Sequence, residues 1–96
     1  MKQTAEFPTA RGPQLLATLS KHFGHKIRVE TQDSRAQLHF DMGAATLETI
    51  PDGLRLTADA TDEDDLQQLR DVLESHLLRF AFREDPQPLI WNAPAS

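Results

Sequence analysis

Apolar and polar residues alternate along this chain with two different periods. Between Gly12 and Gly24, Leu15, Leu16, Leu19 and Phe23 share one face of a 3.6-residue period, which predicts an amphipathic helix over residues 13–23. Pro13 suits a first helical position, where a missing N–H would be unpaired anyway. Gly24 suits the left-handed residue that ends a helix. Lys21 and His22 bring positive charge to the negative end of the helix dipole. From residue 26 onward the period becomes two. Ile27 and Val29, then Ala36, Leu38 and Phe40, then Ala45 and Leu47, then Leu54, Leu56 and Ala58 alternate with polar neighbours. Ile50-Pro51-Asp52-Gly53 is a hairpin turn signal. Four short strands joined by tight turns predict an antiparallel meander with one apolar face, since no connection is long enough for a parallel crossover.

The period then returns to 3.6. Thr61 is expected to cap a second helix, with Asp64 three residues on as a partial capping box. Asp62 to Asp65 all favour the positive dipole end. Leu66, Leu69, Val72, Leu73, Leu77 and Phe80 form its stripe, and Pro86 and Pro88 lie beyond its end. A one-faced meander must cover that face, and two amphipathic helices supply the cover. The predicted fold class is therefore α+β, a two-layer sandwich in the order α-β-β-β-β-α with both helices on one face. The antiparallel sheet has four strands, or five if the tail segment PLIWN adds an edge strand rather than covering a sheet end. Residues 1–8 show no period and are expected to be a flexible arm. Residues 9–92 make the single domain, and 93–96 a C-terminal tail.

Composition narrows the function classes. At 96 residues, 39% of them hydrophobic, the chain suits one domain with one core. It holds no cysteine, which removes disulfides, thiolate zinc sites and cysteine nucleophiles and fits a reducing cytoplasm. The first residues lack the apolar region of a secretory signal, and no stretch approaches the roughly 20 apolar residues of a membrane helix. A net charge of −5 argues against nucleic acid and anionic membranes as partners.

The candidate chemistry centres on histidine. His76 falls inside the apolar stripe of the second helix, between Val72, Leu73 and Phe80. The ordinary expectation is a neutral core imidazole bonded to a backbone carbonyl or hydroxyl. The alternative joins it to His22 and His25 as a three-histidine metal site, because neutral imidazoles ligate zinc, iron and copper. Against that stand the weak spacing of His22 and His25, the missing glutamate of H-E-x-x-H and the nearby Lys21 and Lys26. A catalytic reading would use these histidines as acid or base, but Ser20 and Ser75 sit one or two residues from a histidine, where side chains do not face each other. Acids 62–65 resemble a metal cluster, and dipole stabilisation accounts for them better.

Arg79 and Arg83, four apart around Phe80 and Phe82, are a candidate carboxylate clamp. The competing reading has both phenylalanines closing the core while the arginines make surface ion pairs. The sheet face away from the helices is expected to show Arg28, Gln37, His39, Thr46, Glu48, Arg55 and Thr57. Such a mixed face is ordinarily solvated. With Trp91 exposed it would serve instead as an interface, in which Arg28, His39 and Arg55 take part.

The blocks KHFGHK (21–26) and SHLLRFAFRE (75–84), the DGL turn and the short apolar tail with its tryptophan are together similar to a family of small bacterial proteins known only as a domain of unknown function. The resemblance covers residues 8–91. It implies a compact α+β domain that stands alone and supplies no activity, cofactor or catalytic residue. Relatives that occur beside siderophore-interacting flavoproteins add a pointer to iron metabolism. Pro13 after Gly12 departs from the family's helix start, so an irregular first turn is expected. The resulting expectation is a small cytoplasmic, non-enzymatic binding or accessory domain, linked to iron or siderophore handling through a metal or small-molecule ligand. The alternatives are a homodimer or protein-interaction module using the open sheet face, and a small histidine-dependent enzyme.

Overall fold

The stretches of period two fold as strands and those of period 3.6 as helices in the computed structural model, which describes residues 1–92. In chain order they are β1 (Lys2–Pro8), α1 (Gly12–Phe23), β2 (Arg28–Gln32), β3 (Arg35–Phe40), β4 (Gly43–Ile50), β5 (Gly53–Asp59) and α2 (Glu63–Phe80). A 3₁₀ turn at Phe82–Glu84 follows α2. The strands form one antiparallel sheet in the order β1-β5-β4-β3-β2. The α+β class, the meander from β2 to β5 and a total of five strands match the sequence reading.

The fifth strand, however, comes from the N-terminus. The segment expected as a flexible arm pairs with β5 over its whole length, from Lys2 opposite Asp59 to Pro8 opposite Gly53. Its alternation was concealed because one inward position is the polar Gln3. That side chain is 6% exposed and donates from Nε2 to the Asn92 carbonyl at 2.6 Å. The order is thus β-α-β-β-β-β-α. The tail forms no strand among the described residues. It covers the outer edge of β1 instead: the Asn92 amide donates to the Thr4 carbonyl at 3.0 Å, and the Thr4 amide donates to Asn92 Oδ1 at 2.8 Å.

Both helices lie on the same face. Leu15, Leu16, Leu19 and Phe23 of α1 and Leu66, Leu69, Leu73 and Leu77 of α2 form one cluster with Phe7, Ala36, Leu38, Ala45, Leu47, Leu54, Leu56 and Ala58 of the sheet. The helices touch each other, and both touch β4 and β5. The largest fully buried side chains are all leucines. Each contributes about 1.5–3 kcal/mol by leaving water, so aliphatic burial dominates stability.

Helix ends differ from expectation in three places. Gly24 is right-handed, with φ −61°, because the chain continues through a further turn in which the Lys26 and Ile27 amides donate to the Phe23 carbonyl. The N-cap of α2 is Asp62 rather than Thr61, and its carboxylate accepts from the Asp65 amide at 2.8 Å. Helix α2 stops at Phe80, so Ala81 is buried and Phe82 is 65% exposed. Phe82 therefore does not close the core. Helix α1 begins without a side-chain cap, and the Arg11 amide bonds instead to the Thr9 hydroxyl. That hydroxyl donates to Glu84 Oε1 at 2.5 Å, tying the approach to α1 to the 3₁₀ turn after α2.

Candidate functional site

The last turn of α1 and the second half of α2 meet through aromatic rings. The His22 and His76 ring centroids are 5.0 Å apart, and Phe80 lies 5.2 Å from His22. Phe23 stands 4.9 Å from His76 and 5.2 Å from Phe40, so the rings continue down to the sheet. The spacing of each apolar stripe puts these residues at the seam. Phe23 closes the stripe of α1 with His22 beside it, and His76 and Phe80 sit one turn apart on α2.

His76 is half-buried, as the stripe predicts. Its Nδ1 lies 2.7 Å from the Val72 carbonyl, which can only accept, so Nδ1 carries the proton and donates. That is the backbone-bonded imidazole of the ordinary expectation, and it leaves Nε2 as the basic nitrogen. His25 behaves differently. It follows α1 in an exposed turn and joins none of the ring contacts among the described residues. Among those residues no group of three or more His, Cys, Asp or Glu could hold a metal ion. The three-histidine site is therefore not assembled: only His22 and His76 converge. Ser75 Oγ lies 3.4 Å from His76 Nδ1, but that nitrogen carries the proton it gives to the Val72 carbonyl, so it cannot act as a base toward the hydroxyl. Ser75 Oγ donates to the Val72 carbonyl at 3.2 Å, and the buried Ser20 Oγ has no partner among the described residues.

The electrostatics of the seam have one sign. The His22 pKa is pushed below the ordinary imidazole value by burial first, then by His76, Arg79, Lys26 and His25, all of which disfavour a further positive charge. Among the described residues none of these five groups makes an ion pair with a carboxylate. Sequence reasoning took the three histidines as metal ligands and Arg79 as part of a carboxylate clamp, set Lys26 against a bound cation, and missed that all five form one cationic patch centred on His22. The available signal was the density of Lys and His just after α1. Arg83 lies outside the patch: it sits in the 3₁₀ turn, its guanidinium 5.5 Å from the Phe82 ring. The Arg79–Arg83 clamp expected on one helical face does not form, because the helix ends between them.

The open sheet face is polar, as expected, and internally paired. Arg55 on β5 bonds Glu6 on β1 through Nη2 at 3.0 Å and Glu48 on β4 through Nη1 at 3.3 Å. These two carboxylates raise the Arg55 pKa. Beside that row, Thr4, Thr57 and Thr46 stand opposite one another across β1, β5 and β4. His39 Nε2 lies 2.7 Å from Glu30 Oε1, and the Arg28 guanidinium reaches the same oxygen at 3.6 Å. Trp91 is not on this face. It is half-buried against the core and held by α2.

None of three surface pockets is lined by His22, His76 or Arg79. One of about 420 Å³ borders Glu30, Arg35 and Gln37. One of about 410 Å³ lies between Phe7, Pro8 and the segment Pro86–Ile90. One of about 460 Å³ borders Ile27, Phe40, Met42 and Asp65. No helix among the described residues is long and apolar enough to cross a membrane.

Comparison with known proteins fits this architecture. The NMR structure of PA4090 from Pseudomonas aeruginosa superposes with a TM-score of 0.82 at 28% identity, covering 99% of this chain and 98% of that one. No curated protein matches the chain. The sequence pattern of an uncharacterized protein family conserved in bacteria (DUF2218) matches residues 4–92. The chain belongs to that family.

Proposed function

We propose that this chain, as a member of that bacterial family, is a non-catalytic interaction module that docks an acidic segment of a protein partner on the cationic patch at the end of α1. The observation that carries the reading is the convergence of His22 and His76 at 5.0 Å, with Phe80 against His22 and with Arg79, Lys26 and His25 close enough to depress the His22 pKa. In a chain of net charge −5, a cluster of one sign left without carboxylates is an unmet electrostatic demand. A carboxylate-rich partner meets it through charge-assisted hydrogen bonds to Arg79 and Lys26, and an apolar residue beside the acids covers Phe80. None of the three pockets described above is lined by His22, His76 or Arg79, which favours a partner that brings its own surface over a small molecule that needs a cavity. The iron or siderophore connection gains no support, because two imidazoles without a third ligand, ringed by cations, hold metal poorly. Cysteine-free composition is compatible with the cytoplasm as the place of action.

The test is an NMR titration with a synthetic peptide alternating Asp or Glu with Phe, beside neutral and basic peptides of equal length. The acidic peptide should shift resonances of His22, His76 and Arg79, more strongly as pH falls below 6.5 and His22 gains its proton. Lys26→Glu with Arg79→Glu should abolish the response. Equal shifts from all three peptides, or an undiminished response in the double variant, would refute the reading.

A further inference from the structure

The two sheet edges are treated differently. At the β1 edge the Thr4 carbonyl accepts from the Asn92 amide and the Thr4 amide donates to Asn92 Oδ1, so the tail occupies that edge at Thr4. The other edge is β2. It joins β3 through the two-residue loop Asp33-Ser34, with Gln32 opposite Arg35 as the closing pair. The closing pair of such a hairpin is hydrogen-bonded, and bonded pairs alternate along the ladder. Glu30 and Arg28 therefore bond to β3, while the N–H and C=O groups of Val29 and Thr31 point away from it. No turn or loop backbone group among the described residues takes them up. The strand, RVETQ, has neither the proline nor the lysine that commonly blocks an edge.

We infer that β2 pairs with β2 of a second copy of this chain, antiparallel about a two-fold axis at Val29, fusing two five-stranded sheets into one. The outward groups permit several registers: one centred on Thr31 carries Arg28 past the end of the second copy's strand, and one centred on Arg28 sets Arg28 against Arg28. One centred on Glu30 sets Glu30 against Glu30, a like-charge contact on the open face. The register centred on Val29 sets Val29 against Val29, Ile27 against Thr31, and Arg28 against the second copy's Glu30, twice by symmetry. Arg28 and Glu30 then occupy non-hydrogen-bonded positions, where side chains of facing strands stand closest. The Arg28 side chain is 75% exposed, and its loose 3.6 Å contact with Glu30 of its own copy would be exchanged for the second copy's Glu30. On the helix face, half-buried Val29 and Ile27 gain the apolar cover that the single copy does not give them. Charge and apolar pattern thus select the same self-complementary register, as an isologous interface requires. This interface is distinct from the acidic-partner reading, since it uses neither Arg79 nor His22 and His76, and the two surfaces adjoin only at Lys26.

The test is sedimentation equilibrium over a wide concentration range, with hydrogen exchange read at single amides. The full chain should self-associate to a dimer, and the Val29 and Thr31 amides should gain protection as concentration rises. Arg28→Glu should weaken association at least about tenfold, because two attractive pairs become two repulsive ones. Adding Glu30→Arg to that variant should restore it. Val29→Pro removes an outward N–H that the single copy does not use and should abolish the dimer. A chain that stays monomeric at every concentration, or a dimer whose Val29 and Thr31 amides exchange as in the monomer, would overturn the inference. So would a charge-swapped double variant that associates no better than Arg28→Glu.

Discussion

The Trp91 indole donates to Glu74 Oε1 at 3.1 Å while the Leu89 amide donates to Oε2 of the same carboxylate at 3.3 Å. One acid on α2 thus holds two points of the tail, and the tail carries Asn92 to the edge of β1. Trp91, expected from sequence at an interface, is a strut inside the fold. Glu74→Ala should cost about 1–3 kcal/mol, since it leaves two part-buried donors without an acceptor. Denaturant titration reads the loss. Because Trp91 is the chain's one tryptophan, its native-state emission should shift to the red as the tail loosens. An unshifted spectrum and an unchanged midpoint would mean that the tail is held by packing alone.

A Cβ on Gly53 would collide with the carbonyl oxygen of Phe7, and one on Gly12 would stand 2.7 Å from the carbonyl oxygen of Gly53. Both neighbours are backbone, so neither can swing aside. The two glycines let the start of α1 settle on the β1–β5 ladder. Gly12→Ala and Gly53→Ala should each destabilise by about 2–3 kcal/mol. Gly24→Ala is the contrasting case. Gly24 is right-handed and exposed, so alanine should lie within about 1 kcal/mol of wild type. Thermal unfolding of the three variants checks the order. A heavily destabilised Gly24→Ala would contradict the right-handed cap.

The layers of the fold were legible in sequence because leucine repeats carry them: Leu15, Leu16 and Leu19, then Leu66, Leu69, Leu73 and Leu77, leave little choice of face. Strand β1 was hidden because Gln3 occupies an inward position and is satisfied by Asn92, 89 residues away. No local pattern encodes a partner that distant. For the same reason the tail read as a strand or a strip, when its fixed points are Glu74 and Thr4. The site was half legible. Stripe spacing brought His76 to the seam with α1, and the convergence with His22 follows from it. His25 misled, because closeness along the chain to His22 says nothing of direction once the helix has turned into a loop.

Arg55 sits between Glu6 and Glu48 on neighbouring strands and answers both. Arg55→Gln should leave two like charges facing across β5 and lower stability in dilute buffer. The pairs are exposed, so the loss should fade toward zero in about 1 M salt, where the Debye length is about 3 Å. Parallel denaturant titrations at low and high salt decide it. A loss of equal size at both would point to packing of the arginine stem.

Acid should weaken the fold through His22. Its folded pKa lies below the ordinary value of 6.5 because burial and the charges of His76, Arg79, Lys26 and His25 disfavour the imidazolium. In the unfolded chain His22 returns to about 6.5. Between the two values the unfolded state binds more protons, so unfolding free energy rises with pH through that window. The native advantage is full above about pH 6.5, shrinks as pH falls toward the folded pKa, and changes no further below it. Carboxylates contribute their own slope at lower pH, so the comparison is wild type against His22→Gln. The variant should lose less stability on acidification through this window. An NMR titration of the His22 ring should give a midpoint below 6.5, and His76→Gln or Arg79→Gln should each move it upward by removing a repelling neighbour. A wild-type midpoint at or above 6.5 would mean that a counter-charge reaches the seam, and the patch would then lack the unmet demand on which docking of an acidic partner rests.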